Sequence, residues 1–186
     1  MSGSHDISAE SARLDHMFRE KARAEITLAE LAGGKTSAVR ARGDELAEVL
    51  LLKGEPGPGD LEGGYALAGA DGGAADKALD ALGLPAARFA LCTRVAGIGS
   101  DERVARIRML VEAVDPSVLI ALDPLAAQDF ADAVGVEPLI AGALATWRGR
   151  TVLAIDGLEA SLSDDDLKRR VWRQLKALAT PIASQT

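Results

Sequence analysis

Three features of this 186-residue sequence have residue types and spacing suited to chemistry. The first is GEPGPGDLEGG (Gly54–Gly64), a glycine- and proline-rich run directly after the apolar run EVLLLK (Glu48–Lys53). Backbone amides in such loops can approach an anion or a base closely. It lacks the GxGxxG order of a dinucleotide loop. The second is a set of acids that follow later apolar runs, Asp123 after SVLIAL and Asp156 after TVLAI. The third is GGKTS (Gly33–Ser37), which has the ending of a phosphate-binding loop. The full motif needs a glycine where Ala29 stands, and a strand where a helix precedes, so a helix-stop turn is the better reading.

Other chemistry-bearing residues fall into less specific settings. His5 and His16 are the only histidines, near Asp6, Glu10 and Asp15, and they show no metal-ligand spacing. No Ser–His–Asp constellation can be assembled, because neither histidine follows an apolar run. The acids Asp164, Asp165 and Asp166 suit the first turn of a helix. Lys168, Arg169, Arg170, Arg173 and Lys176 follow on the same helix and read as its solvated face. Cys92 is the lone cysteine, which excludes an internal disulfide and an all-cysteine metal site within one chain.

These groups need elements to position them. Residues 8–32 read as a helix with Leu14, Met17, Phe18, Leu28 and Leu31 on one side. Strands are expected at Glu48–Lys53, Arg88–Cys92, Ser117–Leu122 and Thr151–Ile155. Helices are expected at 70–83, from a Ser100 N-cap through Val114, at Pro124–Val134, and from a Ser163 cap through Leu178. Strands alternating with helices predict a three-layer α/β/α domain on a four-stranded parallel sheet, with Leu50, Leu52, Phe89, Leu91, Leu119, Ile120, Val152 and Leu153 buried. Ligands in such sheets sit outside the carboxyl ends of the strands. The organisation expected is a helical segment 1–35 packing on a domain 36–180, then a tail 181–186.

Composition narrows the partners. The hydrophobic share of 48% is that of a globular chain, while the aromatic share of 3% leaves the core to Ala, Leu and Val. A formal charge of −7 argues against non-specific binding to nucleic acid, which rests on Lys and Arg neutralising phosphates. The polar, acidic start is no secretory signal, and no apolar run approaches a membrane span, so a cytoplasmic location without membrane contact is expected.

From about Thr36 to Leu178 the chain resembles the uracil-DNA glycosylase superfamily, closest to its iron–sulfur family-four branch. The resemblance is carried by TSAVRARGDELAEVLLLKGEPGP, GGAADKALDALGL, VEAVDPSVLIALDPLAAQDF, WRGRTVLAI and DDDLKRRVWRQLKAL, in that order. It implies a crevice formed by Gly54, Glu55, Pro56, Gly57, Leu67, Cys92, Gly157 and Leu158. It also implies degenerate chemistry. The family's catalytic glutamate corresponds to Gly54, preceded by Lys53, with Glu55 one residue late; the loop's acidic position falls on Leu61, between Asp60 and Glu62. The phenylalanine that stacks on uracil corresponds to Leu67, and the asparagine that reads its edge to Cys92. The His-Pro-Ser motif corresponds to Gly157-Leu158-Glu159, and all four cluster cysteines are missing, so neither cofactor nor metal is expected. The resemblance therefore implies a domain acting by binding, and the acidic charge favours a protein partner over DNA. The alternatives are a divergent glycosylase with its carboxylate relocated to Glu55, Asp60, Asp123 or Asp156, and a DNA-binding module without chemistry.

Overall fold

The computed structural model describes residues 3–31 and 38–179, with side chains from Ser8 onward. GGKTS, His5, the boundary near residue 35 and the tail 181–186 lie outside what is described.

Four apolar runs form the centre of an α/β fold. They are β2 (Val49–Lys53), β3 (Arg88–Cys92), β4 (Val118–Ala121) and β6 (Arg150–Ala154), all parallel. The sheet itself is larger than the four parallel strands expected. Two antiparallel edge strands, β1 (Arg42–Gly43) and β5 (Leu144–Trp147), make it six-stranded and mixed, in the order β1-β3-β2-β4-β6-β5. Both escaped the sequence reading for a physical reason. β1 is two polar residues, and β5 is a half-exposed edge strand without a continuous apolar run. A tight turn joins β5 to β6, with φ of +48° at Arg148 and +82° at Gly149. Positive φ at both central residues suits the twist of a two-residue hairpin.

Side chains alternate between two cores, as strands buried on both faces require. Leu50, Leu52, Phe89, Leu91, Leu119 and Val152 pack under α4 (Ser100–Val114) and α5 (Pro124–Val134). Leu51, Ala90, Cys92, Ile120, Leu153 and Ile155 pack under α3 (Ala70–Ala81) and α6 (Asp165–Leu175). All eight residues expected to be buried are buried.

Local details also differ from expectation. The 54–64 run is not all loop: Pro58–Gly63 forms the short helix α2, with Asp60 in its first turn. Gly99, not Ser100, caps α4, its N–H donating to Glu102 at 2.9 Å. Asp164, not Ser163, caps α6 by accepting from the amides of Asp166 and Leu167. A carboxylate is a stronger acceptor there than a hydroxyl, and it suits the helix dipole. Helix α1 (Gly3–Glu30) packs on α4 through Ala22, Ile26 and Ala29. Leu14, Met17, Phe18, Leu28 and Leu31 point to solvent instead. Among the described residues, no helix is long and apolar enough to cross a membrane.

Candidate functional site

Strand β2 is apolar for four residues and then ends on Lys53, whose ammonium sits under the loop that follows. Its Nζ donates to Asp60 Oδ2 at 2.5 Å, from α2, and to Asp71 Oδ2 at 2.6 Å, from α3. Glu159 Oε2, in the segment after β6, lies 2.9 Å away. Burial alone would lower the lysine, but these three hydrogen bonds outweigh it and hold the ammonium above the ordinary lysine range. Asp60 is further tied by the amides of Gly57 and Ala68. The cluster therefore joins the carboxyl ends of β2 and β6 to α2 and α3, with every proton of the lysine committed.

The neighbouring strand end is equally committed. Asp123 caps α5, one carboxylate oxygen accepting from Ala126 N–H and the other from Gly54 N–H, each at 2.8 Å. Thr93 and Arg94, following β3, bond backbone oxygens of Lys53 and Gly54 and hold the buried Asp129 of α5. Rigid anchors thus fix the turn at Gly54 on both sides.

Between these strand ends lies a crevice of about 350 Å³. Its acids are Glu55, Asp71, Asp123, Asp156 and Glu159, its apolar wall is Leu122, Pro124, Leu125 and Leu158, and its one cation is Lys53. The charge facing a ligand is therefore negative. Asp156 is half-buried, with Arg170 at 3.5 Å, while Glu55 is exposed at the rim.

The structure distributes the residues singled out from sequence. Glu55, Gly157 and Leu158 line this crevice, beside Asp123 and Asp156. Pro56 lines an adjacent hollow with Arg94 and Val95. Leu67, at φ +58°, faces a third hollow beside Arg42 and Tyr65. Gly54 has no room for a side chain, and Gly57 has room only where Glu159 swings aside. A Cβ at Gly54 would fall 2.6 Å from Asp123 Oδ1 and 2.7 Å from Leu125 Cβ, and one at Gly57 would strike the Glu159 carboxylate. Gly157 is at φ +146°, a conformation that strains any other residue. Cys92 pairs with Lys53 across the sheet and is buried. Burial, reinforced by the Asp60 charge, pushes its thiol up to about 12, so it is no nucleophile at neutral pH. Leu61 and Glu62 point to solvent, and Asp60 points inward.

Sequence reasoning placed Lys53 only as the residue preceding Gly54 and did not name Asp71 or Asp129. A signal for Lys53 existed: a lysine that closes an otherwise apolar strand must bury its ammonium, and a buried ammonium requires carboxylate partners. Asp71 carries no such mark, because an acid in the first turn of a helix is ordinary.

The chain matches no family model, and no curated protein matches it.

Proposed function

We propose that this chain is a uracil-DNA glycosylase-like domain whose excision chemistry is lost and which acts by binding a protein partner. One observation carries the reading: the space where a catalytic side chain at position 54 would project is filled by Asp123 and Leu125. Base excision needs an activated water and a stabilised leaving anion. The position corresponding to the uracil-reading asparagine is a buried, protonated thiol, and position 157 offers no side chain to the anion. Four parallel strands, with the Gly54 and Gly157 turns after the carboxyl ends of two of them, support the family resemblance.

The crevice chemistry supports a protein rather than DNA. Five carboxylates against one fully paired lysine repel a phosphodiester and suit a cationic side chain. The test is uracil release from single- and double-stranded DNA, run beside DNA binding measured across a salt series. Neither release above the no-enzyme control nor salt-sensitive binding is expected. Robust release overturns the reading. One observation favours the second reading, a divergent glycosylase: among the fallback carboxylates, Glu55 is exposed at the crevice rim, whereas Asp60 and Asp123 are consumed by structure. Loss of uracil release in Glu55→Gln would then identify it.

A further inference from the structure

Helix α1 is amphipathic twice over. One side, Ala22, Ile26 and Ala29, packs on the domain, and Arg19 and Arg23 clamp that half to Asp44 and Glu45. Residues 8–18 are exposed throughout, three turns of helix that lean on nothing among the described residues. A helix without tertiary packing is marginal in water, so an apolar stripe on such a segment calls for a partner.

The stripe has a definite period. Leu14, Met17, Lys21, Ala24, Leu28 and Leu31 follow one another at alternating steps of three and four, the seam of a two-stranded coiled coil. They lie on the side turned away from the domain, and its large apolar members are 46–61% exposed. We propose that the occupant of the Glu10–Ala24 part of this seam is a second copy of the chain, its α1 packed antiparallel to the first.

Charge decides both occupant and direction. Two seam positions are polar, Lys21 and, one step before Leu14, Glu10. In an antiparallel pair an early seam position of one helix faces a late one of the other. Placing Leu14 opposite Met17 of the second copy sets Glu10 opposite Lys21 of the second copy, and the symmetry makes this pair twice. The same register brings Arg13 beside Glu20 of the second copy. A parallel, in-register pair would stack Lys21 on Lys21 and Glu10 on Glu10, which is unfavourable. The antiparallel register also sends the two domains to opposite ends of the helix pair.

Sedimentation equilibrium at tens of micromolar protein tests this. A dimer is expected. Lys21→Glu and Glu10→Lys each weaken it by about tenfold or more, because each turns two attractive pairs repulsive. The double exchange E10K/K21E restores it to within a few-fold of the parent. A parallel dimer would leave both single variants unchanged. All these side chains are exposed and Lys21 gives up only a surface pair with Glu25, so the urea midpoint of the diluted monomer stays close to the parent value and separates lost association from lost folding. As a second readout, an equimolar mixture of L14C and M17C proteins forms an intermolecular disulfide, and L14C alone does not; the buried Cys92 does not interfere. A monomer, inert single exchanges, or crosslinking of L14C to itself each overturns the proposal.

Discussion

Replacing Lys53 by methionine removes the only cation from a cluster of three carboxylates. Asp60 Oδ2 and Asp71 Oδ2 lie 2.5 and 2.6 Å from Nζ, so the two oxygens are at most about 5 Å apart. Two charges at that separation repel by about 3 kcal/mol at an effective dielectric constant of about 20. Removing one partner of a buried ion pair costs about 3–5 kcal/mol for the same reason. Glu159 adds little, because its carboxylate is half exposed and screened by water. Total stabilities of domains are about 5–15 kcal/mol, so the loss is a large fraction. Urea unfolding at pH 7.5 should show the Lys53→Met midpoint lowered by about 1 M or more.

The pH dependence separates this cause from simple loss of packing. In the variant the folded state relieves the repulsion by binding a proton that the unfolded chain does not bind. Stability then falls as pH rises, and the deficit shrinks on acidification towards pH 5. In the parent protein the folded lysine is held above its ordinary value of 10.5. Its contribution is therefore complete below that value and is lost only in strong alkali, as pH rises through the raised folded value. Lys53→Met with Asp71→Leu should be more stable than Lys53→Met alone, since the second change removes the unpaired charge. A Lys53→Met midpoint equal to the parent's, or a deficit that deepens on acidification, would refute the reasoning.

Three further outcomes follow from the same site. Asp123→Ala removes the α5 cap and the anchor of Gly54 N–H together, at about 2 kcal/mol, and thermal unfolding should begin about 4–8 °C lower. Gly54→Ala forces aside Asp123 and Leu125, costing about 1–3 kcal/mol in a urea titration, and Gly54→Glu yields no uracil release. Cys92, buried with its thiol pushed up to about 12, is untouched by an aromatic disulfide reagent at pH 8 in native protein and reacts stoichiometrically in denaturant.

The central sheet was legible because its strands are buried on both faces. VLLLK, RFALC, SVLIAL and TVLAI are continuous apolar runs bounded by turns, a pattern that needs no tertiary information. The edges were not, because an edge strand can be polar and short, as Arg42–Gly43 is. Helix α1 shows a different limit. Its apolar positions were read as one side, but periodicity alone does not say which side meets the domain. Small residues, Ala22 and Ala29, make that contact because they allow close approach to α4, while the larger side chains remain outside. At the site, the resemblance singled out Gly54, Leu67, Cys92 and Gly157 as positions without the expected side chains. It did not show what took their place, since that depends on residues about 70 to 105 positions away: Asp123 and Leu125 beside Gly54, and Glu159 beside Gly57 and Lys53.

That replacement changes what the missing groups mean. A site that had merely lost its side chains would keep an empty cavity, and restoring those side chains would meet no obstacle. Here the space beside Gly54 and Gly57 is occupied by groups with duties elsewhere. Asp123 caps a helix, Leu125 belongs to that helix's first turn, and Glu159 completes the partners of Lys53. Lys53 in turn fixes α2 and α3 through Asp60 and Asp71. A side chain added at Gly54 must displace Asp123 or Leu125 and leave an amide without its partner, whereas one at Gly57 must push aside the half-exposed Glu159 carboxylate. The side chains that close the space beside Gly54 and Gly57 thus also hold the crevice wall together. That arrangement of the strand ends exposes anionic chemistry, which favours the proposed docking role over a pocket that must admit a flipped base.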